Sequence, residues 1–402
     1  MRHLTLLAAL TAATLLAGPA ATRAETGHAD SRADTGRAAD SGPDAGRAAD
    51  PGTDTGHADS HDGTGRAATH TTPRHTEPTH PTRPRTAKPA RTVSAWLPYW
   101  NQETGYADAL AHARQLHTVS PFWYELKAAD RVTAHPGAEQ KRIVDGLHRA
   151  GIKVVPTVNE ALPAGRLAAL VTSPAQRALH VRTLLGIAAR GDYDGLELDY
   201  ESLATTGDAT YRKVRAGYAA LVTELCTALH RRALTCAVAV SPQTDGNGRI
   251  WDYPALGRAA DRVRIMGYDL HWRGGMPGPL STPGWYDRTL AHATALIPPA
   301  KIEMALPGYG WDWAPGAPTR HVTWKEAEAL RKREGRPYTF DKQAGSPRFT
   351  YTEGRTERTV WYQDARGVAA HLPALRKHGV TGTGLWALGF EDPAMWEVLA
   401  RG

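Results

Sequence analysis

The chain has 402 residues and a formal net charge of +7 at pH 7. This length is more than one small domain needs, and it suits one large barrel with additional segments. The basic residues are not arranged as a stripe interleaved with aromatic side chains, so we expect no nucleic-acid partner.

Residues 1–24 have the pattern of a secretory signal peptide. A positive start at Met1 to His3 precedes a short apolar run from Leu4 to Gly18, and small residues follow up to Ala24. The run is too short to cross a bilayer, and no later stretch reaches the required length of about 18 apolar residues. We therefore expect a secreted, extracellular protein, free or associated with the cell wall, with no membrane contact after cleavage. An uncleaved N-terminal anchor is the alternative.

Residues 25–92 form a low-complexity segment rich in Pro, Thr, Ala and Asp. Gly-Arg-Ala-Ala-Asp occurs at 36–40 and again at 46–50, and every Trp and Tyr lies at position 96 or later. Such a segment cannot bury enough apolar surface to offset the entropy lost on ordering. We predict a disordered linker.

A regular alternation of short apolar runs and amphipathic helical patterns begins at residue 93. Eight alternating βα units over residues 93–402 predict an α/β fold, a closed (β/α)8 TIM barrel. A doubly wound open sheet is the alternative, but Pro98 to Asn101 stands where a Gly-rich phosphate loop would follow the first strand. The eight runs are 93–99, 118–123, 152–158, 194–200, 234–241, 262–268, 301–307 and 383–388.

The gap between the seventh and eighth runs is long. Residues 309–362 contain a helix-like piece at 323–334 and three strand-like pieces at 338–340, 348–351 and 357–362. We predict a small α+β insertion on the rim of the barrel, where long insertions commonly shape a binding cleft.

Two cysteines occur, Cys226 late on a predicted helix and Cys236 at the start of the next strand. Export would permit a disulfide. Two buried free thiols fit equally well, because helix and sheet layers lie about 10 Å apart.

Residues 192–201 are the most informative stretch of the chain. Leu196 and Leu198 alternate with carboxylates, which is the period of a strand. Asp199 and Glu201 would then point to the same side, about 7 Å apart. Two neighbouring carboxylates at the end of a strand predict acid–base chemistry.

Aromatic residues collect at the predicted strand ends, where the active site of such a barrel lies. Rings stack on the apolar faces of sugars while carboxylates and amides bind hydroxyls, so this pattern predicts a sugar-binding cleft. A Mg²⁺ or Ca²⁺ site is the competing interpretation, but the aromatic surroundings fit it poorly, and we expect no metal and no cofactor. The metal interpretation would use Glu125, Glu160, Asp199, Glu201 and Asp269, and the candidate substrate-binding residues are Trp100, Trp123, Met266, Tyr309, Trp311 and Trp386.

The stretch from Asp194 to Glu201 resembles the signature of family 18 glycoside hydrolases, Asp-Gly-x-Asp-x-Asp-x-Glu, on the fourth strand. Three further matches are Ser120-Pro-Phe122 on strand two, Met266-Gly-Tyr268-Asp269 on strand six and Trp386 on strand eight. The resemblance covers residues 93–402. The insertion is most similar to the branch that contains bacterial spore-cortex and cell-wall lytic enzymes.

The resemblance implies specific roles. Glu201 would protonate the glycosidic oxygen and then activate water, and Asp199 would orient the substrate's own acetamido group. Tyr268 would hydrogen-bond that group, with Asp269 beside it as a substrate-binding residue. Trp386 would form the floor under the cleaved sugar. Family 18 enzymes are exceptions to the scheme with a carboxylate nucleophile, so the expected outcome is retention.

Two further motif residues have different expected roles. Asp194 is expected to be structural and to support the acidic row. Glu197 stands where the family has Asp, and in many chitinases that Asp shares a proton with the next one. Glutamate is one methylene longer and has to repack inside the barrel. The change favours a wall-lytic enzyme over a chitin specialist.

These observations predict a secreted, monomeric hydrolase of β-1,4-linked N-acetylglucosamine polymers, either peptidoglycan or chitin. The alternative is a non-catalytic, lectin-like barrel that binds the same polysaccharides. Lectin-like members usually lack the acid, whereas Glu201 is present here.

Overall fold

The computed structural model describes residues 91–163, 165–203, 207–244 and 248–401. The predicted signal peptide and nearly all of the predicted linker lie outside these residues. The described residues form fifteen strands and ten α-helices. The strands are β1 (Thr92–Pro98), β2 (Leu116–Ala128), β3 (Arg131–Ala134), β4 (Lys153–Val154), β5 (Thr157–Glu160), β6 (Gly195–Asp199), β7 (Thr235–Val240), β8 (Arg262–Met266), β9 (Ile302–Pro307), β10 (Tyr309–Ala314), β11 (Ala317–Thr323), β12 (Thr339–Asp341), β13 (Ser346–Glu353), β14 (Thr356–Tyr362) and β15 (Gly382–Trp386). The helices are α1 (Gln102–Ala111), α2 (Lys141–Arg149), α3 (Arg166–Thr172), α4 (Pro174–Arg190), α5 (Asp208–His230), α6 (Tyr253–Ala259), α7 (Pro283–Thr294), α8 (Trp324–Arg333), α9 (Ala365–Lys377) and α10 (Met395–Arg401).

Eight parallel strands close into a barrel, which confirms the predicted fold class. The order is β1-β15-β9-β8-β7-β6-β5-β2, and β2 pairs back onto β1. All eight predicted runs correspond to barrel strands, although the third is divided into β4 and β5. Pro156 stands between these two pieces, and proline has no N–H to donate to a ladder.

The helices cover the outside of the barrel through apolar stripes. On α5 the buried side chains include all six that periodicity predicts, and Leu196 and Leu198 of β6 belong to the same core cluster. Since Leu196 and Leu198 face the helices, the alternate residues of β6 face the barrel interior. The six predicted stripe residues are Val214, Tyr218, Leu221, Val222, Leu225 and Leu229.

Cys226 of α5 and Cys236 of β7 form a disulfide, with Cα atoms 5.2 Å apart. This outcome settles the alternative that the sequence left open. The close approach arises because the short turn after α5 returns the chain directly to β7.

The predicted insertion between the seventh and eighth barrel strands is present. Five antiparallel strands form a second sheet in the order β11-β10-β14-β13-β12. The helix α8 begins with a capping box in which Thr323 and Glu326 bind each other's backbone N–H groups, and its side chains pack on one face of the sheet. The other face carries Trp311 and Trp361, which cluster with Phe122 at the barrel mouth.

None of the helices in the described ranges has both the length and the apolar composition needed to cross a membrane.

Candidate active site

The inward face of β6 carries the acidic row into the barrel. Glu197 is fully buried and Asp199 is 8 % exposed, while Glu201 lies two residues beyond the strand end and is half-buried. The carboxyl ends of parallel strands meet at one rim of a barrel. The row therefore runs from the barrel interior to its mouth.

Burial and mutual repulsion shape the electrostatics of this row. Burial raises the pKa of Asp199 to about 8, and the charges of Glu197 and Glu160 add to the shift. Burial also raises the pKa of the Glu201 carboxyl well above its ordinary range, with further contributions from the negative charges of Asp199, Glu160 and Asp269. Glu201 is consequently suited to hold a proton near neutral pH.

The longer side chain at position 197 is accommodated by dedicated partners. Arg264 of β8 lies 2.8 Å from Glu197 Oε1. Trp96 Nε1 and Thr157 Oγ1 donate hydrogen bonds to Oε2 at 2.8 and 2.6 Å. The longer side chain of Glu197 therefore places its carboxylate in an ion pair with Arg264 inside the barrel.

Glu160, at the end of β5, holds the backbone that carries Glu201. Its Oε1 accepts the N–H of Glu201 at 3.2 Å and that of Ser202 at 2.6 Å, and also the Ser202 hydroxyl. Its Oε2 accepts the N–H of Leu162 at 3.1 Å. This carboxylate thus fixes the turn that follows β6.

Tyr268 and Asp269 follow β8 at the same rim. Tyr268 is half-buried, and burial together with the charges of Asp199 and Glu201 raises its pKa. Asp269 has a φ of 57°, an uncommon value outside glycine, and accepts hydrogen bonds from Tyr309 Oη at 2.6 Å and Trp311 Nε1 at 2.9 Å. Tyr309 and Trp311 are themselves buried, so they hold Asp269 instead of presenting an open stacking surface.

An aromatic wall stands beside the row. The ring of Trp386 lies 5.7 Å from Trp96, 5.4 Å from Phe122 and 6.3 Å from Trp100, measured between centroids. Trp386 is half-buried and Trp100 is 38 % exposed, so both predicted substrate-binding rings are open to a ligand.

The structure removes Trp123 from the predicted substrate-binding set. Its side chain is fully buried in the main core cluster, beside Tyr193, and its Nε1 donates to Gln102. Consecutive residues of a strand point to opposite faces, so Trp123 faces the helices whereas Phe122 faces the mouth. Met266 is the last residue of β8 and is 8 % exposed, which leaves little surface for a substrate.

Asp194 lies at the opposite end of β6 from Asp199. Its Oδ2 accepts the N–H of Val154 at 2.8 Å and lies 2.9 Å from His148 Nε2. It links β6 to β4 and α2. Asp194 therefore has the expected structural role, but at the N-terminal end of β6 and not within the acidic row. Among the described residues, no group of three His, Cys, Asp or Glu side chains is arranged to hold a metal ion.

Comparison with known proteins identifies the family. The profile of glycosyl hydrolases family 18 matches residues 98–391, which is well over half of the chain. The chain belongs to glycosyl hydrolases family 18. The predicted resemblance is thereby confirmed, and this family is one of glycosidases.

Several family 18 relatives are similar over part of their length. The uncharacterized glycosylase YvbX of Bacillus subtilis (strain 168) is 27% identical over 54% of this chain and 64% of its own. The cortical fragment-lytic enzyme of Bacillus anthracis is 31% identical over 42% of this chain and 41% of its own. This chain therefore spans less than two thirds of either relative.

A solved structure gives the same fold. The chitinase from Chromobacterium violaceum ATCC 12472 superimposes with a TM-score of 0.70 at 27% identity, covering 78% of this chain and 98% of that one. Family 18 enzymes act on polymers that contain N-acetylglucosamine, and both lytic enzymes and chitinases are among the proteins similar to this chain.

Sequence reasoning did not assign a role to Glu160 or to Arg264 in this family 18 site. Glu160 enters the sequence prediction only in the competing metal interpretation, and a charged residue directly after an apolar run was the available signal for a role at the strand end. Arg264 gave a signal too, since an arginine at the centre of the β-rich run 262–268 must be buried and paired in a closed barrel.

Proposed function

We propose that this chain is a retaining glycoside hydrolase that cleaves β-1,4 bonds after N-acetylglucosamine by substrate-assisted catalysis. The observation that carries the proposal is the pair of carboxyl groups of Asp199 and Glu201 at the barrel mouth, both with raised pKa values. Glu201 has the protonation needed to donate to a leaving oxygen.

The proposed role of Asp199 rests on its unpaired oxygen. Oδ1 of Asp199 is buried and has no hydrogen-bond partner among the described residues. Buried polar atoms normally have partners. An acetamido N–H of the substrate would satisfy this oxygen, and that contact would turn the acetamido carbonyl toward the anomeric carbon.

Tyr268 and Trp386 complete the proposed site. The hydroxyl of Tyr268 would donate to the acetamido group, and the ring of Trp386 would lie under the sugar. Asp269, held by Tyr309 and Trp311, would bind the sugar beside Tyr268. No carboxylate nucleophile is required in this scheme, because the acetamido oxygen attacks.

Peptidoglycan is the substrate that we propose first, with chitin-type polymers second. The similarity to a cortical fragment-lytic enzyme supports this order. Glu197 supports it as well, since the proton-sharing Asp of many chitinases is replaced here by a residue paired with Arg264.

We also propose that the protein is exported and acts outside the cell, at or near the wall. The leader-like pattern of residues 1–24 supports export. The disulfide between Cys226 and Cys236 supports it independently, because disulfides persist mainly in oxidising compartments. Sequencing the N-terminus of protein recovered from culture medium tests this proposal. Recovery only from the cell interior would contradict it.

Product analysis tests the activity. The protein and its Glu201→Gln variant are incubated with purified peptidoglycan and with chitin oligosaccharides, and products are identified by mass spectrometry. Muropeptides that end in reducing N-acetylglucosamine, absent with the variant, are the expected result. Chitobiose-sized products alone would reverse the order of substrates. No product from either polymer, or equal activity of the variant, would overturn the mechanism.

A further inference from the structure

Four charged side chains of alternating sign form a line through the barrel interior. Arg262 Nε lies 3.4 Å from Glu303 Oε1, Arg264 Nε lies 2.9 Å from Glu303 Oε2, and Arg264 also lies 2.8 Å from Glu197. Arg264, Glu303 and Glu197 are essentially inaccessible to solvent. The line ends in a carboxylate, Glu197, one inward-facing position below Asp199.

The partners of Glu197 favour its ionised form. Trp96 Nε1 donates a hydrogen bond to Oε2, and the Arg264 guanidinium, which has no acceptor atom, forms an ion pair with Oε1 at 2.8 Å. Thr157 donates a second hydrogen bond to Oε2. A proton on Glu197 would face donors on both sides and would weaken the buried ion pair. Burial, together with the charge of Glu303, raises the pKa of Glu197 above its ordinary value, and Arg264, Thr157 and Trp96 all oppose that rise.

Asp199 has the opposite surroundings. Its Oδ1 has no partner among the described residues. The charges that shift its pKa are those of Glu197, Glu160 from β5 and Arg264 from β8, and the charge of Asp199 itself raises the pKa values of Glu201, Tyr218 from α5 and Tyr268. The charge of Glu197 is the largest of the charge effects that hinder ionisation of Asp199.

We propose that Glu197 stays ionised throughout the catalytic cycle, held by Arg264, and acts on Asp199 as a fixed negative charge instead of exchanging a proton with it. Glu197 and Arg264 are then positioning residues. The mobile proton of the site is confined to Asp199 and Glu201. This inference rests on the proposed hydrolase function.

Two charge-removing variants of similar size test the inference. Glu197→Gln removes the carboxylate next to Asp199, whereas Glu303→Gln removes the other carboxylate of the same Arg264, which is not among the charges that act on Asp199. Both retain an amide oxygen that can accept from Arg264. Profiles of kcat/KM against pH are measured for the wild type and both variants on one substrate, after thermal melts show that each is folded.

With Glu197→Gln, both limbs of the profile are expected to move to lower pH by about one unit or more, because a neighbouring negative charge is gone. With Glu303→Gln, the limbs are expected to stay in place. An unshifted profile in Glu197→Gln, or equal shifts in both variants, would overturn the inference. So would a loss of kcat of about a hundredfold at every pH, since that is the effect of removing a proton-exchanging group.

A spectroscopic measurement remains available if Glu197→Gln does not fold. The side-chain carboxyl carbon of Glu197 in ¹³C-labelled wild-type protein is assigned from its loss in Glu197→Asp. Its chemical shift is expected to stay constant through the pH range of activity, and a titration within that range would contradict the inference. A wild-type protein that cleaves neither peptidoglycan nor chitin would instead refute the proposed function.

Discussion

Glu160 and Glu201 lie at the ends of neighbouring barrel strands, and the Glu160 carboxylate accepts the backbone N–H of Glu201 at 3.2 Å. The same oxygen accepts the next N–H, that of Ser202, at 2.6 Å. A carboxylate on one strand therefore sets the path of the turn that presents the candidate acid. The negative charge of Glu160 also raises the pKa of Glu201.

Glu160→Ala is expected to lower kcat by roughly 10- to 100-fold with a much smaller change in KM, since the acid is displaced while the sugar-binding wall is intact. Steady-state kinetics on the preferred polymer provide the measurement. Glu160→Gln is the matched control, because it retains an acceptor oxygen but lacks the charge. It is expected to recover most of kcat and to shift the profile to lower pH. If the kcat of Glu160→Ala equalled that of the wild type, the hydrogen bonds from Glu201 and Ser202 to Glu160 would have only a structural role.

Asp199→Asn is expected to abolish turnover and to stabilise the fold at neutral pH, on the order of 1–2 kcal/mol. The folded-state pKa of about 8 lies above the value in an unfolded chain, so the unfolded chain releases this proton first. The contribution of Asp199 to wild-type stability is therefore present at low pH and is lost as pH rises through about 4 to 8. Urea unfolding at several pH values measures the difference between the two proteins.

The increase in the free energy of unfolding caused by Asp199→Asn should grow as pH rises from about 4 to about 8 and should level off above pH 8. Asp194→Asn is the control, because Asp194 Oδ2 is paired with His148 and the Val154 N–H and the replacement of Asp194 should destabilise the protein. A gain from Asp199→Asn that does not vary with pH would contradict the buried, unpaired state of Asp199.

Trp386→Ala and Trp123→Ala are expected to act on different properties. Trp386 faces the mouth, so its removal should lower kcat/KM by about tenfold or more. Trp123 is fully buried, so its removal should cost about 3–5 kcal/mol of stability and leave kcat/KM of the folded protein near that of the wild type. Kinetics and urea unfolding on both variants provide the comparison. The reverse pattern would restore Trp123 to the substrate-binding set.

Removal of the disulfide by the double substitution Cys226→Ala and Cys236→Ala is expected to lower the free energy of unfolding by about 3 kcal/mol. Without the bridge, the unfolded chain regains the conformational entropy that closure of this short loop had removed. The two cysteines are 10 positions apart in sequence. Urea unfolding of the variant and of the wild type with and without reductant measures the loss. The variant should not respond to reductant, and a wild type equally stable in both conditions would contradict the expectation.

Much of the fold was accessible from sequence because its signals are local. Alternating apolar runs predicted all eight barrel strands, and the stripe from Val214 to Leu229 predicted the buried face of α5. The two strands β10 and β11 were not predicted. The aromatic residues of 309–313 were interpreted as a strand-end cluster, whereas in the structure they form β10 and pair with β14.

The sequence by itself determined the family, the closed barrel and the order of Asp199 and Glu201, because strand periodicity and the spacing of a motif are properties of neighbouring residues. Only the tertiary structure decided which of the aromatic residues face the mouth, since Phe122 and Trp123 differ by one position and point to opposite sides of β2. It also brought together Glu197 with Arg264 and Glu160 with Glu201, which are separated by 67 and 41 positions in the chain. The physical reason is that a buried charge needs a partner in space, and chain closure around the barrel selects that partner.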